Sequence, residues 1–346
     1  MRSMETVVRS LPEPPRFVLA TQRRPLSHAR PNGAELRSPL QMLASGQIDL
    51  PRPIRVGFAV AAIRLVAHTV GIRRRCDVIH ANGLTEAMLV VPLAFVSRLP
   101  VVVWVHNYAS PRAFPSVYRL MGRQMRGWRW LAVSETARRL LPPDLKVELL
   151  PNPIAIGRVA PPTASETCVV TYLAGTDHPV KGFDLLPRII EATKNPSVRF
   201  RVYANRSVST RHERSNEAWD WFSRAVDDRV ELHPFVSDVG PVLASSDVVL
   251  VPSRAESFNR VMAESMAAGR PVVATNIGAH AAHCAGGPVG LFFDIDDAVG
   301  AGRQIDQLAT NLRLRHELGD HGAACARAYD PALIACRLAR AWSDHQ

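Results

Sequence analysis

Short apolar runs alternate along this chain with longer stretches whose apolar positions recur every three or four residues. The first pattern predicts buried strands, and the second predicts helices packed against them. A strand at 16–21 (RFVLAT) follows a loose tail over 1–15. No strand pattern intervenes before a helical stretch at 57–74, so the first half reads as short of a strand or two. Then come a strand at 77–80 (DVIH), a turn at Ala81-Asn82-Gly83 and a helix over 85–97. Strands follow at 100–106 (PVVVWVH), 130–133 (WLAV) and 147–150 (VELL), and Ser134 caps a helix over 135–141.

Residues 154–167 (IAIGRVAPPTASET) have the composition of a linker. A second series starts beyond them, with strands at 168–173, 198–203, 230–233, 247–251, 271–275 and 290–293 and a helix over 182–193. Strand–helix alternation in both halves predicts parallel sheets with crossover helices. The fold class is therefore α/β: two doubly wound, Rossmann-like domains, 1–153 and 168–325, facing across a cleft. Ligands in such sheets sit beyond the carboxyl ends of the strands. Residues 326–346 read as a helix packing back on the first domain, with Tyr329, Leu333, Cys336, Leu338 and Trp342 as its buried side.

Composition narrows this picture only where charge is concerned. The 346 residues are 47% apolar, enough for two cores. The apolar region 87–105 is broken by Pro92, Arg98 and Pro100, so it reads as a helix and a strand, not a membrane span. The N-terminal stretch lacks the apolar core of a signal peptide, and a cytoplasmic protein is expected. The five cysteines form no CxxC pair and read as reduced thiols. The net charge is +11, and residues 1–150 carry it, with 22 basic against 9 acidic side chains. A basic half suits an anionic membrane surface, an anionic (phosphorylated) or lipid-linked acceptor, or nucleic acid, and it reads equally as arginine drift, since only three of the chain's basic residues are lysines. The segment 118–130 (YRLMGRQMRGWRW) could lie on such a surface, and it reads equally as a half-buried helix with a solvated basic face. Nucleic acid is not expected, because the basic residues are scattered and carry no binding motif.

The chemistry concentrates in ESFNRVMAESMAAGRPVVAT, residues 256–275. Glu256 lies in the loop after a buried strand. Asn259 caps a helix that Gly269 stops at a left-handed position. The amides at Asn259, Arg260 and Val261 would hold a phosphate at the helix N-terminus. A carboxylate accepts two hydrogen bonds from a vicinal diol. Glu256 and Glu264 could thus grip a sugar and a ribose on either side of a diphosphate. Spacing alone equally allows a solvated loop glutamate and a helix-surface glutamate.

The stretch resembles the signature of the family-four glycosyltransferases, retaining enzymes of the GT-B fold. Their form is Glu-Gly-Phe-Gly, then Glu-Ala-Met-Ala, Gly, Pro and Val-Val-Ala-Thr. This chain has Glu256-Ser257-Phe258-Asn259, Glu264-Ser265-Met266-Ala267, Gly269, Pro271 and Val272-Val273-Ala274-Thr275. Asp77-Val78-Ile79-His80-Ala81-Asn82-Gly83, Val105-His106-Asn107, Leu150-Pro151-Asn152-Pro153 and Lys181-Gly182 fit as well. The resemblance implies a metal-independent transfer of a hexose from a UDP- or GDP-sugar to a lipid-linked or saccharide acceptor, in envelope polysaccharide or glycolipid synthesis. It implies catalytic placement for His106 and Glu256. It implies donor contacts from Gly175, Thr176, Lys181, Ser257, Phe258, Asn259, Arg260 and Glu264, and acceptor contacts from Asn32, Gly33, Asn82 and Gly83. No cofactor is expected. Asp294-Ile295-Asp296 imitates a metal-binding pair, but it sits in a late turn before a helix.

Two departures matter. Thr176 stands where the family has a diphosphate-binding arginine after Gly175, and both signature glycines are replaced, by Ser257 and Asn259. With the short first half, they leave a catalytically lapsed scaffold or binding subunit as the alternative.

Overall fold

The structure is a computed structural model. It describes residues 77–107, 109–161, 165–175, 177–206, 213–224, 228–284 and 286–343, and the backbone of two strands at 17–21 and 44–49. The calls at Asn32, Gly33 and Thr176, and the helix at 57–74, lie outside the described residues. The chain divides into two compact units, residues 1–153 with 331–346, and residues 154–330.

The first unit is built on a parallel sheet of six strands: β1 (Phe17–Thr21), β2 (Ala44–Asp49), β3 (Val78–Ala81), β4 (Val101–Val105), β5 (Arg129–Ala132) and β6 (Val147–Leu149). Their order is β2-β1-β3-β4-β5-β6. Strand β2 is the one that the sequence pattern passed over. Its sequence, ASGQID, lacks a β-branched run, and it lies at the sheet edge, where pairing with β1 alone decides its conformation. Helices α1 (Leu84–Ser97), α2 (Phe114–Met125) and α3 (Glu135–Arg138) connect the later strands. Every residue of β3 and β4 is buried, as expected of parallel strands covered on both faces. Trp104 Nε1 donates to the Leu150 carbonyl at 2.8 Å and ties β4 to the end of the sheet.

The second unit holds β7 (Cys168–Tyr172), β8 (Val198–Tyr203), β9 (Val230–His233), β10 (Val248–Val251), β11 (Val272–Thr275) and β12 (Gly290–Phe293). Their order, β12-β11-β10-β7-β8-β9, is that of a dinucleotide-binding fold. The order reverses between β7 and β10, so the loops leaving these two strands flank its switch point. Helices α4 (Leu186–Ala192), α5 (Glu213–Arg224), α6 (Gly240–Ala244), α7 (Arg260–Ala267), α8 (Gly278–Ala281), α9 (Ala298–Thr310) and α10 (Leu312–Ala326) surround the sheet.

Residues 154–161, read above as linker, are bonded into this unit. Ile154 N donates to the Tyr329 carbonyl at 2.9 Å and Val159 N to the Ala268 carbonyl at 3.2 Å. The buried Arg270 guanidinium donates to the carbonyls of Leu243 and Ala160 at 2.8 and 2.7 Å. Composition missed this because backbone groups make the contacts.

The last helix, α11 (Pro331–Ser343), belongs to the first unit. It buries Ile334, Ala335, Leu338, Ala341 and Trp342, while Leu333 and Cys336 are exposed. Leu338 and Trp342 of the stripe read from sequence are on the buried side; Leu333 and Cys336 are not, and Tyr329 sits in a separate 3₁₀ turn ahead of a helix that starts only at Pro331. Trp342 anchors the helix. Its Nε1 donates to Nδ1 of the buried His80 at 3.2 Å, and the rings meet edge to face at 5.8 Å. Burial lowers the His80 pKa to about 3, which keeps it a neutral acceptor. Trp342→Ala should cost about 3–5 kcal/mol, the range for large aromatic truncations. Urea denaturation followed by circular dichroism checks this. A loss below about 1 kcal/mol would contradict the anchor.

Candidate functional site

The site is built where the loops after β7 and β10 meet. The β7 loop ends in a 3₁₀ turn, Pro179–Lys181, whose first amide to need a partner, Val180 N, donates to His178 Nδ1 at 3.1 Å. Gly182 closes the turn with φ 74°, and a Cβ there would lie 2.1 Å from the Pro252 carbonyl oxygen. Only glycine fits both the dihedral and the contact. This Lys-Gly pair therefore has a steric reason: the turn is pressed against the strand end after β10, and Lys181 is fixed at the edge. Gly175 is also left-handed, with φ 67°, and a Cβ on it would meet the Phe235 ring at 2.6 Å.

Arg254 locks the two loops together. Its guanidinium takes both Asp184 oxygens, at 2.6 and 2.9 Å, and its Nε donates to Asp296 Oδ1 at 2.8 Å. Its backbone N donates to the Val180 carbonyl at 2.8 Å. Hydrogen bonds to Asp184 and Asp296 outweigh burial and hold its pKa above the usual arginine value. The Asp296 carboxylate thus serves an arginine. Among the described residues no group of three or more His, Cys, Asp or Glu side chains is placed to hold a metal ion.

Glu256 is the hub. Its Oε1 accepts from Lys181 Nζ at 2.6 Å, Ser253 Oγ at 2.9 Å and Asn259 Nδ2 at 3.3 Å. Its side chain is 9% exposed, against 34% for Lys181. Asn259 stands at the N-cap of α7 with φ 59°. Its Oδ1 accepts from Met262 N at 3.0 Å, so the side-chain cap serves the third residue of the helix. Its amide nitrogen also reaches His280 Nε2 at 2.8 Å. His280 Nδ1 lies 2.7 Å from the Thr275 carbonyl, which only accepts. These partners assign the tautomer: Nδ1 donates to Thr275, and Nε2 accepts from Asn259. The Asn259 amide thus donates in two directions, to Glu256 and to His280, and His280 donates on to the end of β11.

Phe258 is 4% exposed. Its ring packs against His283 at 4.8 Å and Tyr329 at 5.2 Å, so the ring fastens the loop from beneath. His283 Nε2 donates to the Phe258 carbonyl, and its Nδ1 accepts from the Tyr329 hydroxyl at 2.7 Å. Ser257 is half-buried in the same loop. On α7, Arg260 and Glu264 pair with each other at 2.9 Å across one helical turn.

The first unit places its candidates at the ends of β3 and β4. Asn82 and Gly83 follow β3, and His106 follows β4 with its ring 4.6 Å from that of Trp104. Asn107 Oδ1 accepts from Leu84 N at 3.1 Å and joins the two loops. Gly83 has φ 138°, and a Cβ on it would meet Glu86 Oε2 at 2.5 Å.

Residues 167–311 match the model of the family described as glycosyl transferases group 1. The chain is 36% identical over 97 residues to the lipopolysaccharide core biosynthesis glycosyltransferase LpsE of Rhizobium meliloti, covering 28% of each protein. It is 25% identical over 285 residues to the phosphatidyl-myo-inositol mannosyltransferase of Mycobacterium leprae, covering 77% of this chain and 73% of that protein. Among solved structures, Anabaena Alr3699/HepE in complex with UDP and glucose superposes with a TM-score of 0.73 at 18% identity, over 95% of this chain and all of that one. A Rickettsia africae glycosyltransferase gives 0.74 at 14% identity, over 99% and 94%. These likenesses establish the fold as GT-B, two parallel-sheet α/β domains.

Sequence reasoning missed Ser253, Arg254 and His280 in this site. A polar residue at a signature glycine, Asn259, was the one available signal that a compensating partner exists. Burial brings both His280 and His283 down to about 4, partly offset by their backbone hydrogen bonds. The unfolded chain takes up protons near pH 6.5 that these folded histidines refuse. Stability should therefore fall as pH drops from about 6.5 towards 4, by about 1.4 kcal/mol per pH unit for each histidine. Urea denaturation at pH 7 and pH 5 measures the slope. The His283→Asn variant should lose one histidine's share of it, and a slope unchanged in that variant would contradict neutral burial.

Proposed function

We propose that the protein transfers a hexose from a nucleoside-diphosphate sugar to a saccharide or lipid-linked acceptor, with retention of configuration and without a metal. One observation carries this reading. A cation and a carboxylate, Lys181 and Glu256, are fixed at the switch point of a dinucleotide-type sheet, beside the N-terminus of α7. That position suits a diphosphate flanked by two sugars.

In this reading Lys181 turns from Glu256 to the diphosphate and offsets the charge that grows on the leaving group. Glu256, still held by Ser253 and Asn259, accepts hydrogen bonds from the transferred sugar. Glu264 exchanges Arg260 for the ribose hydroxyls, and Arg260 becomes a second cation for phosphate. His106, at the end of β4, is kept as the candidate catalytic histidine of the first unit. The acceptor hydroxyl attacks on the face that the diphosphate leaves, and a phosphate oxygen takes its proton. No protein nucleophile is required, so the two glutamates are not a glycosidase pair. The complex of HepE with UDP and glucose supports a uridine donor, and the lipopolysaccharide and phosphatidylinositol relatives support envelope glycolipid or polysaccharide synthesis. We place the reaction on the cytoplasmic side of the membrane, with nucleic acid having no part in it.

Calorimetric titration with UDP, GDP and ADP in the presence of a chelator tests the donor site. One nucleotide should bind in preference to the others. Lys181→Ala and Glu264→Ala should each weaken it roughly tenfold, the equivalent of one charge-assisted hydrogen bond after its present partner is discounted. Unchanged affinity in both variants would refute the assigned roles. Binding of no nucleotide would favour the lapsed scaffold.

A further inference from the structure

Residues 87–134 contain six arginines and neither aspartate nor glutamate. Most of α1 and all of α2 fall in this acid-free stretch, and in the first unit they frame an open groove of about 570 Å³ lined by Phe95, Leu120, Met121 and Trp128 together with Arg98 and Arg123. Phe95 is 70% exposed and Leu120 is 83% exposed. Large apolar side chains left this bare on two neighbouring helices mark an interaction surface.

The cations around them are available. Arg126 is engaged by Asp144 at 2.9 Å. No described carboxylate pairs with Arg98, Arg119 or Arg123, and all three are exposed. Arg98 closes α1 in the left-handed conformation, φ 55°, where glycine is the usual choice. A side chain at that position carries a conformational cost that glycine would not. On α2, the side turned away from Phe114, Gly122 and Met125 carries Arg119, Leu120 and Arg123 side by side.

We infer that this groove face of α1 and α2 docks on an anionic lipid bilayer, with Phe95 and Leu120 entering the acyl boundary and Arg98, Arg119 and Arg123 meeting the headgroup phosphates. The charge pattern selects this occupant. An isologous contact with a second copy would oppose arginine to arginine. A nucleic acid would meet the arginines and leave the two apolar side chains in water. Apolar tips among cations with no carboxylate match an interfacial surface. Among the described residues no helix is long and apolar enough to cross a membrane. The inference deepens the acceptor side of the proposed reaction by naming where a lipid-linked acceptor would be met. It concerns the first unit alone.

Vesicle co-sedimentation of the full chain, without nucleotide, tests it separately from the donor site. The protein should bind phosphatidylcholine vesicles containing phosphatidylglycerol and not those of phosphatidylcholine alone. Replacing each of Arg98, Arg119 and Arg123 by serine should weaken binding about fivefold. The double variant Phe95→Ser with Leu120→Ser should weaken it about tenfold or more, with circular dichroism and nucleotide affinity unchanged. Equal binding to both vesicle types, binding to neither, or variants that sediment like the wild type would overturn the proposal. So would a wild-type dimer that the Phe95→Ser, Leu120→Ser variant converts to a monomer.

Discussion

A carboxylate taken out of water must be met by enough donors to replace its hydration. Glu256 meets this requirement through a single oxygen that collects Lys181, Ser253 and Asn259. Each donor arrives by a different route. Lys181 comes from the turn after β7, which Gly182 alone allows to press against Pro252. Ser253 comes from the loop after β10. Asn259 comes from the N-cap of α7 and is oriented from behind by His280. The carboxylate therefore records the correct assembly of three segments, and Arg254 fastens two of them a second time through Asp184. Ser253 and Asn259 keep the Glu256 carboxylate in place independently of Lys181.

The same constraint explains how the chain tolerates its departures from the family signature. A glycine at position 259 would leave Glu256 short of a donor. Asparagine supplies that donor, accepts the left-handed conformation more readily than most residues, and caps the helix with its remaining oxygen. The cost is a second polar group to satisfy, and His280 meets it while remaining neutral through burial. The signature phenylalanine has a different use. Phe258 fixes the loop to His283 and Tyr329 just ahead of the chain's return to the first unit.

Much of this was legible in the sequence. Fully buried parallel strands are continuous apolar runs, so DVIH, PVVVWVH and PVVAT marked β3, β4 and β11 within a residue or two. Asn259 and Gly269 bounded α7 because caps are local chemistry. The rest depended on partners distant along the chain. Edge strand β2 is specified by pairing. The segment 154–161 is held through backbone carbonyls. The α11 stripe was right at Leu338 and Trp342 and wrong at its start, because Pro331 lies beyond a 3₁₀ turn that periodicity does not see. The motif singled out Lys181, Glu256 and Glu264, of which the structure pairs the first two and sets Glu264 against Arg260. Arg254 and His280 were not, because their roles exist only once β7, β10 and β11 are side by side.

The most direct measurement is a crystal structure of the protein with the nucleoside diphosphate that binds it best. The diphosphate should lie within hydrogen-bonding distance of Lys181 Nζ at the N-terminus of α7, with Glu264 on the ribose and Lys181 drawn away from Glu256. A nucleotide bound elsewhere, with the Lys181–Glu256 pair undisturbed, would show that this cluster is structural and that the donor is held by other residues.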